Sequence, residues 1–322
     1  MSLIFFLIFN DLNSQTPTDL KVFRSECSNN EEWIGWQAIT RPYFRYNFSL
    51  PFTRAEVIVS NEPYGGSYNK HYTFDNGNKC NQWFENLPTG RYTWRVSVYY
   101  QKSPDPYRWS EYATGPDFYV DIDPPSPPAV TESHCGGSAS GWPAWTAHNS
   151  PYFTWSQPSD NGSGVSYYQV SVNGGGWNTV SSGWHPTYEG KNYFDFRSVD
   201  GVGNTSSIYR IYVRSDNTPP PPPDVIETDC GIPGVWTKHT SPHFIWTIVF
   251  DEGEMTGNGS GLNHYEVSVN GGAWTTVSPG WHPTYGTGQY TFSFRSVDNV
   301  GNASTPCVKS GIYIDDTPPQ KP

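Results

Sequence analysis

The stretch "YEVSVNGGAW", residues 265–274, alternates Tyr265, Val267 and Val269 with Glu266 and Ser268 and then reaches Asn270-Gly271. Apolar residues at every second position define a strand with one buried face. Asn followed by Gly accepts the positive φ that a two-residue hairpin turn demands. The same reading holds for "YQVSVNGGGW", residues 168–177, and the likeness between the copies continues through "GWHPTY" at residues 183–188 and 280–285. That second half is expected to run as a loop or sheet edge, where Pro186 and Pro283 are tolerated. "AEVIVSN", residues 55–61, occupies the matching place nearer the N-terminus.

Other features recur around this hairpin. The segments "PYFRY", "PYFTW" and "PHFIW" begin at Pro42, Pro151 and Pro242, each with a Trp six residues earlier (Trp36, Trp145, Trp236) and a Cys before that (Cys27, Cys135, Cys230). Their alternating aromatics, Phe44 with Tyr46, Phe153 with Trp155 and Phe244 with Trp246, point to one face, which in a sandwich is the core. A long final strand is expected in "YTWRVSVYY", "NYFDFRSVD" and "YTFSFRSVD". "LPTGRY", residues 87–92, has the spacing of a tyrosine corner, and "GTGQY", residues 286–290, is a weaker version. Pro-rich runs at "DPPSPP", "TPPPPPDV" and "DDTPPQKP" cannot continue a sheet interior and act as semi-rigid spacers. Together with "TPTDL" at residues 16–20 they divide the chain into a segment 1–16 and repeats 17–122, 123–217 and 218–322.

The second and third repeats resemble bacterial immunoglobulin-like modules of surface and secreted proteins. The residues that carry the likeness are "GSGVSYYQVSVNGGGW" with "FRSVDGVGNTS", and "GSGLNHYEVSVNGGAW" with "FRSVDNVGNAS". The first repeat is similar only to a fibronectin type III-like sandwich, since it lacks the "VD.VGN" segment. The expected fold is therefore all-β: three tandem immunoglobulin-like β-sandwiches joined by Pro-rich linkers. The resemblance implies spacers, adhesive domains or accessory domains in an extracellular or cell-surface, bacterial setting. Fold alone does not assign function.

Composition agrees with many short strands. Among 322 residues there are 31 Gly and 29 Pro, which oppose helix interiors, and 16% aromatics, which oppose disorder. The net charge of −11, with no basic cluster, argues against nucleic-acid partners. Residues 3–9 form an unbroken apolar run, too short to span a bilayer. They read as a secretion signal without the usual preceding Lys or Arg, as a buried first strand, or as a strand donated to a neighbouring molecule. No other stretch is apolar enough to cross a membrane.

No triad, nucleophile elbow, zinc spacing, phosphate loop or dinucleotide fingerprint is present, so no catalytic residue is assigned and enzymatic activity is not expected. Candidate ligand-binding residues are the recurring aromatics and histidines Trp177, Trp184, His185, Tyr188, Trp274, Trp281, His282 and Tyr285. Flat Trp and Tyr faces suit sugars or other partly apolar partners. A candidate calcium set joins Asp200 or Asp298 to the linker carboxylates Asp216, Asp315 and Asp316; the competing reading is that Asp200 and Asp298 cap tight turns. No other cofactor is expected. In an oxidising setting Cys27 with Cys80 and Cys230 with Cys307 are candidate disulfides, leaving Cys135 odd. Partners open to such a chain are other surface proteins, copies of itself joined head to tail as a filament, or glycans.

Overall fold

The computed structural model describes residues 16–23, 32, 35–50, 52–61, 68–75, 79–83, 85–101, 106–251 and 257–320. The apolar run at residues 3–9 and Cys27 lie outside them. The described residues are all-β, with no helix, so none is long and apolar enough to cross a membrane. By its contacts the chain divides into two compact units. One comprises the residues up to Pro127 with Gln157–Tyr168 and Arg197–Ser207, the other Pro128–Ser156, Gln169–Phe196 and Ile208–Pro322.

The first ten strands are β1 (Thr18–Phe23), β2 (Trp36–Gln37), β3 (Tyr43–Asn47), β4 (Phe52–Ser60), β5 (Asn69–Phe74), β6 (Cys80–Gln82), β7 (Gly90–Tyr100), β8 (Arg108–Trp109), β9 (Ala113–Thr114) and β10 (Phe118–Val120). They form a three-stranded sheet of order β1-β3-β6 and a larger one of order β2-β10-β7-β4-β5, with β8 and β9 also on β7. One apolar core joins the two sheets: Val22, Phe44 and Tyr46 from the small sheet, Val57, Val59, Trp94, Val96 and Phe118 from the large one. Alternation places these residues inward, and each fully buried large side chain contributes about 1.5–3 kcal/mol.

The middle of the chain carries β11 (Thr131–Glu132), β12 (Phe153–Thr154), β13 (Val165–Val172), β14 (Asn178–Val180), β15 (Gly190–Asp200) and β16 (Tyr209–Ser215). β11 pairs with β12, and a second sheet runs β14-β13-β15-β16. The remainder carries β17 (Ile226–Glu227), β18 (Trp236–Thr237), β19 (Phe244–Ile245), β20 (Leu262–Val269), β21 (Thr275–Val277), β22 (Gly288–Asp298) and β23 (Cys307–Ile314). β17 pairs with β19, and a five-stranded sheet runs β18-β23-β22-β20-β21. Phe153 packs on Phe194 and Phe196 at ring distances of 4.8 and 5.2 Å, and Phe244 packs on Phe292 and Phe294 at 4.7 and 5.0 Å. The aromatic strand of each copy thus meets β15 or β22 across a core; these long strands are not the last of their copies, since β16 and β23 follow and pair with them.

Local geometry follows the sequence pattern. Asn173 and Gly174 have φ of 52° and 74°, and Asn270 and Gly271 have 50° and 73°, the two positive values of a type I′ turn. Gly175 N donates to Val172 O and Gly272 N to Val269 O, both at 2.9 Å, closing each turn. The Asn side chains also accept from the next strand, Asn173 Oδ1 from Tyr193 N and Asn270 Oδ1 from Thr291 N. Tyr92 donates its hydroxyl to Pro88 O at 2.8 Å and Tyr290 donates to Gly286 O at 3.1 Å, the corner bond the spacing predicts. At the matching position of the middle copy Asn192 Nδ2 donates to Glu189 O at 2.9 Å.

Candidate functional site

The "GWHPTY" segment is stitched to the aromatic strand by its backbone. Phe153 N donates to Trp184 O and Gly183 N to Phe153 O; Phe244 N donates to Trp281 O and Gly280 N to Phe244 O. Trp184 therefore lies flat on Phe153, 5.5 Å between ring centres at 22°, and Trp281 on Phe244, 5.7 Å at 23°. Both half-buried indoles also meet the two Phe of β15 or β22 edge-on. Tyr188 and Tyr285 pack on Phe194 and Phe292 in the same way. These four aromatics turn at least one face to the core, and packing accounts for their recurrence.

The histidines lie outside the core. His185 Nε2 is 3.1 Å from Ser150 O, and His282 Nε2 is 2.9 Å from Ser241 O. Ser150 and Ser241 hydroxyls donate to the carbonyls of Pro186 and Pro283, pinning each loop. Around His185 stand His134 and Tyr152; around His282 the corresponding residues are Asp229 and His243, with Asp229 3.5 Å from His282. Trp177 and Trp274 follow the hairpin turns and are half-buried. Arg295 lies 4.1 Å above the Trp274 ring, held by Glu266 at 2.7 Å, so a cation covers one face of that indole. Burial alone would raise the Glu266 carboxyl, but hydrogen bonds from Arg295 and His264 outweigh it and hold the group below its ordinary range.

The acidic candidates divide differently from the sequence expectation. Asp200 joins Asp121 and Asp160, and Asp298 joins Asp216 and Asp251; in each trio one oxygen from every carboxylate lies within 4.8 Å of the others, so each could hold a metal ion. Oxygen-only donors are the chemistry of hard cations. Each trio is also tied to backbone. Asp200 Oδ1 accepts from Val202, Gly203 and Asn204 N at 2.7–2.9 Å, and Asp298 Oδ1 accepts from Val300 and Asn302 N at 2.9 and 2.8 Å, so both cap turns. Asp121 accepts from Ser163 N at 2.6 Å and Asp216 from Ser260 N at 2.5 Å. A side chain at Gly162 would strike the Asp121 carboxylate. Burial, then the charge of Asp216, push the Asp251 carboxyl up to about 6. Asp315 and Asp316 are exposed and stand in neither trio; Asp315 caps Thr317 N, and Asp316 accepts from the Thr287 hydroxyl.

Asp160, in "DNGSG", looks calcium-like in the sequence but reads better as a loop beside a strand, and Asp121 and Asp251 escape sequence reasoning altogether, because their partners lie far away along the chain. Two further carboxylates were equally hidden. Glu132, 8% exposed, accepts backbone N–H groups from His134, Cys135, Gly137 and Tyr152, and Glu227 accepts from Asp229, Cys230 and His243. The recurrence of Glu three residues before Cys, in "VTESHC" and "VIETDC", was the available signal.

The thiols correct one expectation. Cys80 is disulfide-bonded; Cys27, its expected partner, lies outside the described residues. Cys230 and Cys307 are both free, as is Cys135. Cys230 points its thiol at His239 O, 3.6 Å away, while Cys307 opens β23 opposite Phe294. Cys135 occupies the place of Cys230, donating to His148 O at 3.0 Å. Burial first, then Glu132, pushes the Cys135 thiol up to about 12; burial and Glu227 take Cys230 to about 11. Both are neutral and unreactive at physiological pH.

No protein-family model matches the chain, and no curated protein is significantly similar to it.

Proposed function

We propose that the chain is a non-catalytic structural or adhesive protein of the cell surface, built from three tandem immunoglobulin-like sandwiches whose Pro-rich linkers limit bending. The observation that carries this reading is a closure that recurs where the "DPPSPP" and "TPPPPPDV" linkers begin. Asn204 Nδ2 donates to Asp121 O at 3.3 Å, and Asn302 Nδ2 donates to Asp216 O at 2.8 Å. The same two Asp carboxylates accept from the "NGSG" loops. Each "VD.VGN" turn is thereby fastened to the end of a preceding strand, an arrangement that suits a load-bearing array.

A second reading, a filament subunit, draws on exposed aliphatic surface: Ile226 and Val308, 56% and 54% exposed, line a groove of about 450 Å³ beside β17 and β23, and Ile232 is 74% exposed. Electron microscopy of the purified chain separates the two. Uniform monomeric rods support the scaffold, ordered filaments support the second reading, and a collapsed or variable shape sinks the stiff-linker argument.

A further inference from the structure

The aromatics that stand out in solvent are not those of the "GWHPTY" loops: they include Trp142, Trp236 and Phe250 in the later repeats, and three that lie close together along the chain in the first repeat. Tyr107, Trp109 and Tyr112 are 47%, 44% and 40% exposed. The register explains why two of them share a face. Trp109 in β8 sits opposite Tyr99 in β7, and Arg108 sits opposite Tyr100. Tyr107 and Trp109 are two residues apart, so both project on the side of Tyr99, while Arg108 falls on the other side, 5.7 Å from the buried Tyr100 ring. Tyr107 stacks on Tyr99 at 5.4 Å and 22°, and Trp109 leans on Tyr99 at 5.3 Å and 49°. Tyr107 and Trp109 are thus each braced on Tyr99 of a long central strand.

Polar groups border this strip. Tyr112, with its hydroxyl bonded to Glu56, lies 4.5 Å beneath the Arg95 guanidinium, and Glu56 also reaches His71 at 3.3 Å. Beside Tyr107, Thr53 and Gln101 line a shallow depression of about 200 Å³ with Phe52. That is smaller than the roughly 300–1,000 Å³ of an enclosed drug-sized site, but it suits a single sugar ring docking from an open surface. The contrast with the third repeat matters: the exposed surface beside β17 is aliphatic, the chemistry of a protein contact, whereas this strip is aromatic with hydrogen-bonding groups at its rim.

We infer that the Tyr99–Tyr107–Trp109 strip binds a neutral, β-linked glycan. Pyranose rings with equatorial hydroxyls expose flat C–H faces that settle on Tyr and Trp rings, while their hydroxyl edges reach side chains such as Gln101 and Thr53. The pre-braced rings lose little conformational freedom on binding. The inference is independent of the scaffold reading: a chain could form rods and bind no sugar, or bind sugar without forming rods.

The test titrates cellohexaose and, separately, chitohexaose into the full chain while following the Trp indole N–H signals by NMR. The expected result is a dissociation constant of about 0.1–1 mM for at least one of them, with the Trp109 signal shifting. Trp109→Ala should weaken binding about tenfold or more, Trp109→Phe should retain much of it, and Tyr107→Ala should weaken it with unchanged thermal unfolding. Absence of any Trp109 shift at about 10 mM of both sugars overturns the proposal. So does binding that survives in a folded Tyr107→Ala, Trp109→Ala double variant.

Discussion

The second and third repeats build the same three-carboxylate cluster from different places in the chain. In one, Asp160 of "DNGSG" lies four residues before the Gly164 N–H that it accepts at 2.7 Å. In the other, the matching position is Gly257, and Asp251, ten residues before Gly261, accepts that N–H at 2.9 Å instead. The neighbours Asp121 and Asp216, and Asp200 and Asp298, keep their places. The required thing is an oxygen at a point in space, and the chain supplies it from whichever loop passes there. The substitution is not neutral in its physics, because Asp251 is only 3% exposed and its carboxyl is raised to about 6.

The largest expected effect tests what the two copies share. Trp184→Ala and Trp281→Ala should each destabilise by about 2–3 kcal/mol in chemical denaturation, because each removes an indole stacked on a buried Phe. A loss in one copy and none in the other would break the equivalence of the two loops.

The next effect sharpens the difference. Because folding raises the Asp251 pKa above its ordinary value of roughly 3.9, the stability this group contributes is fully present below about pH 4 and lost as pH rises through about 6. Asp251→Asn should therefore stabilise at pH 7 by about 1–2 kcal/mol, an advantage that vanishes at low pH. Calcium in excess is expected to reverse the Asp251→Asn gain if the cluster takes a cation, and to leave it untouched if the cluster serves only as turn caps. Urea midpoints across pH, with chelator and with calcium, decide between the two.

The smallest effect concerns the hairpins. Asn173→Ala and Asn270→Ala should cost about 1 kcal/mol each, from a positive φ that Ala resists and a lost acceptor for the adjoining strand. Equal losses in thermal unfolding support a common turn. A Gly at either position should recover the backbone part and not the side-chain part.

Much of the local structure was legible. Strand alternation, the Asn-Gly turns and the hydroxyl bonds of Tyr92 and Tyr290 all depend on residues within a few positions of one another. The candidate site was legible only in outline. Trp184 and Trp281 were visible as recurring aromatics, but their inward stacking depends on Phe residues in other strands. The Cys230–Cys307 pairing failed for a related reason: counting cysteines says nothing about where each thiol is directed, and Cys230 is turned to the His239 carbonyl.

By itself the sequence determined an all-β chain with a duplicated hairpin, because period-two burial and positive-φ turns are properties of neighbouring residues. Only the tertiary structure decided that Asp121, Asp160 and Asp200, and likewise Asp216, Asp251 and Asp298, converge, that the recurring Trp residues face inward, and that Tyr107 and Trp109 face out. Each depends on where separate strands come together, and distance along a chain does not encode distance in space.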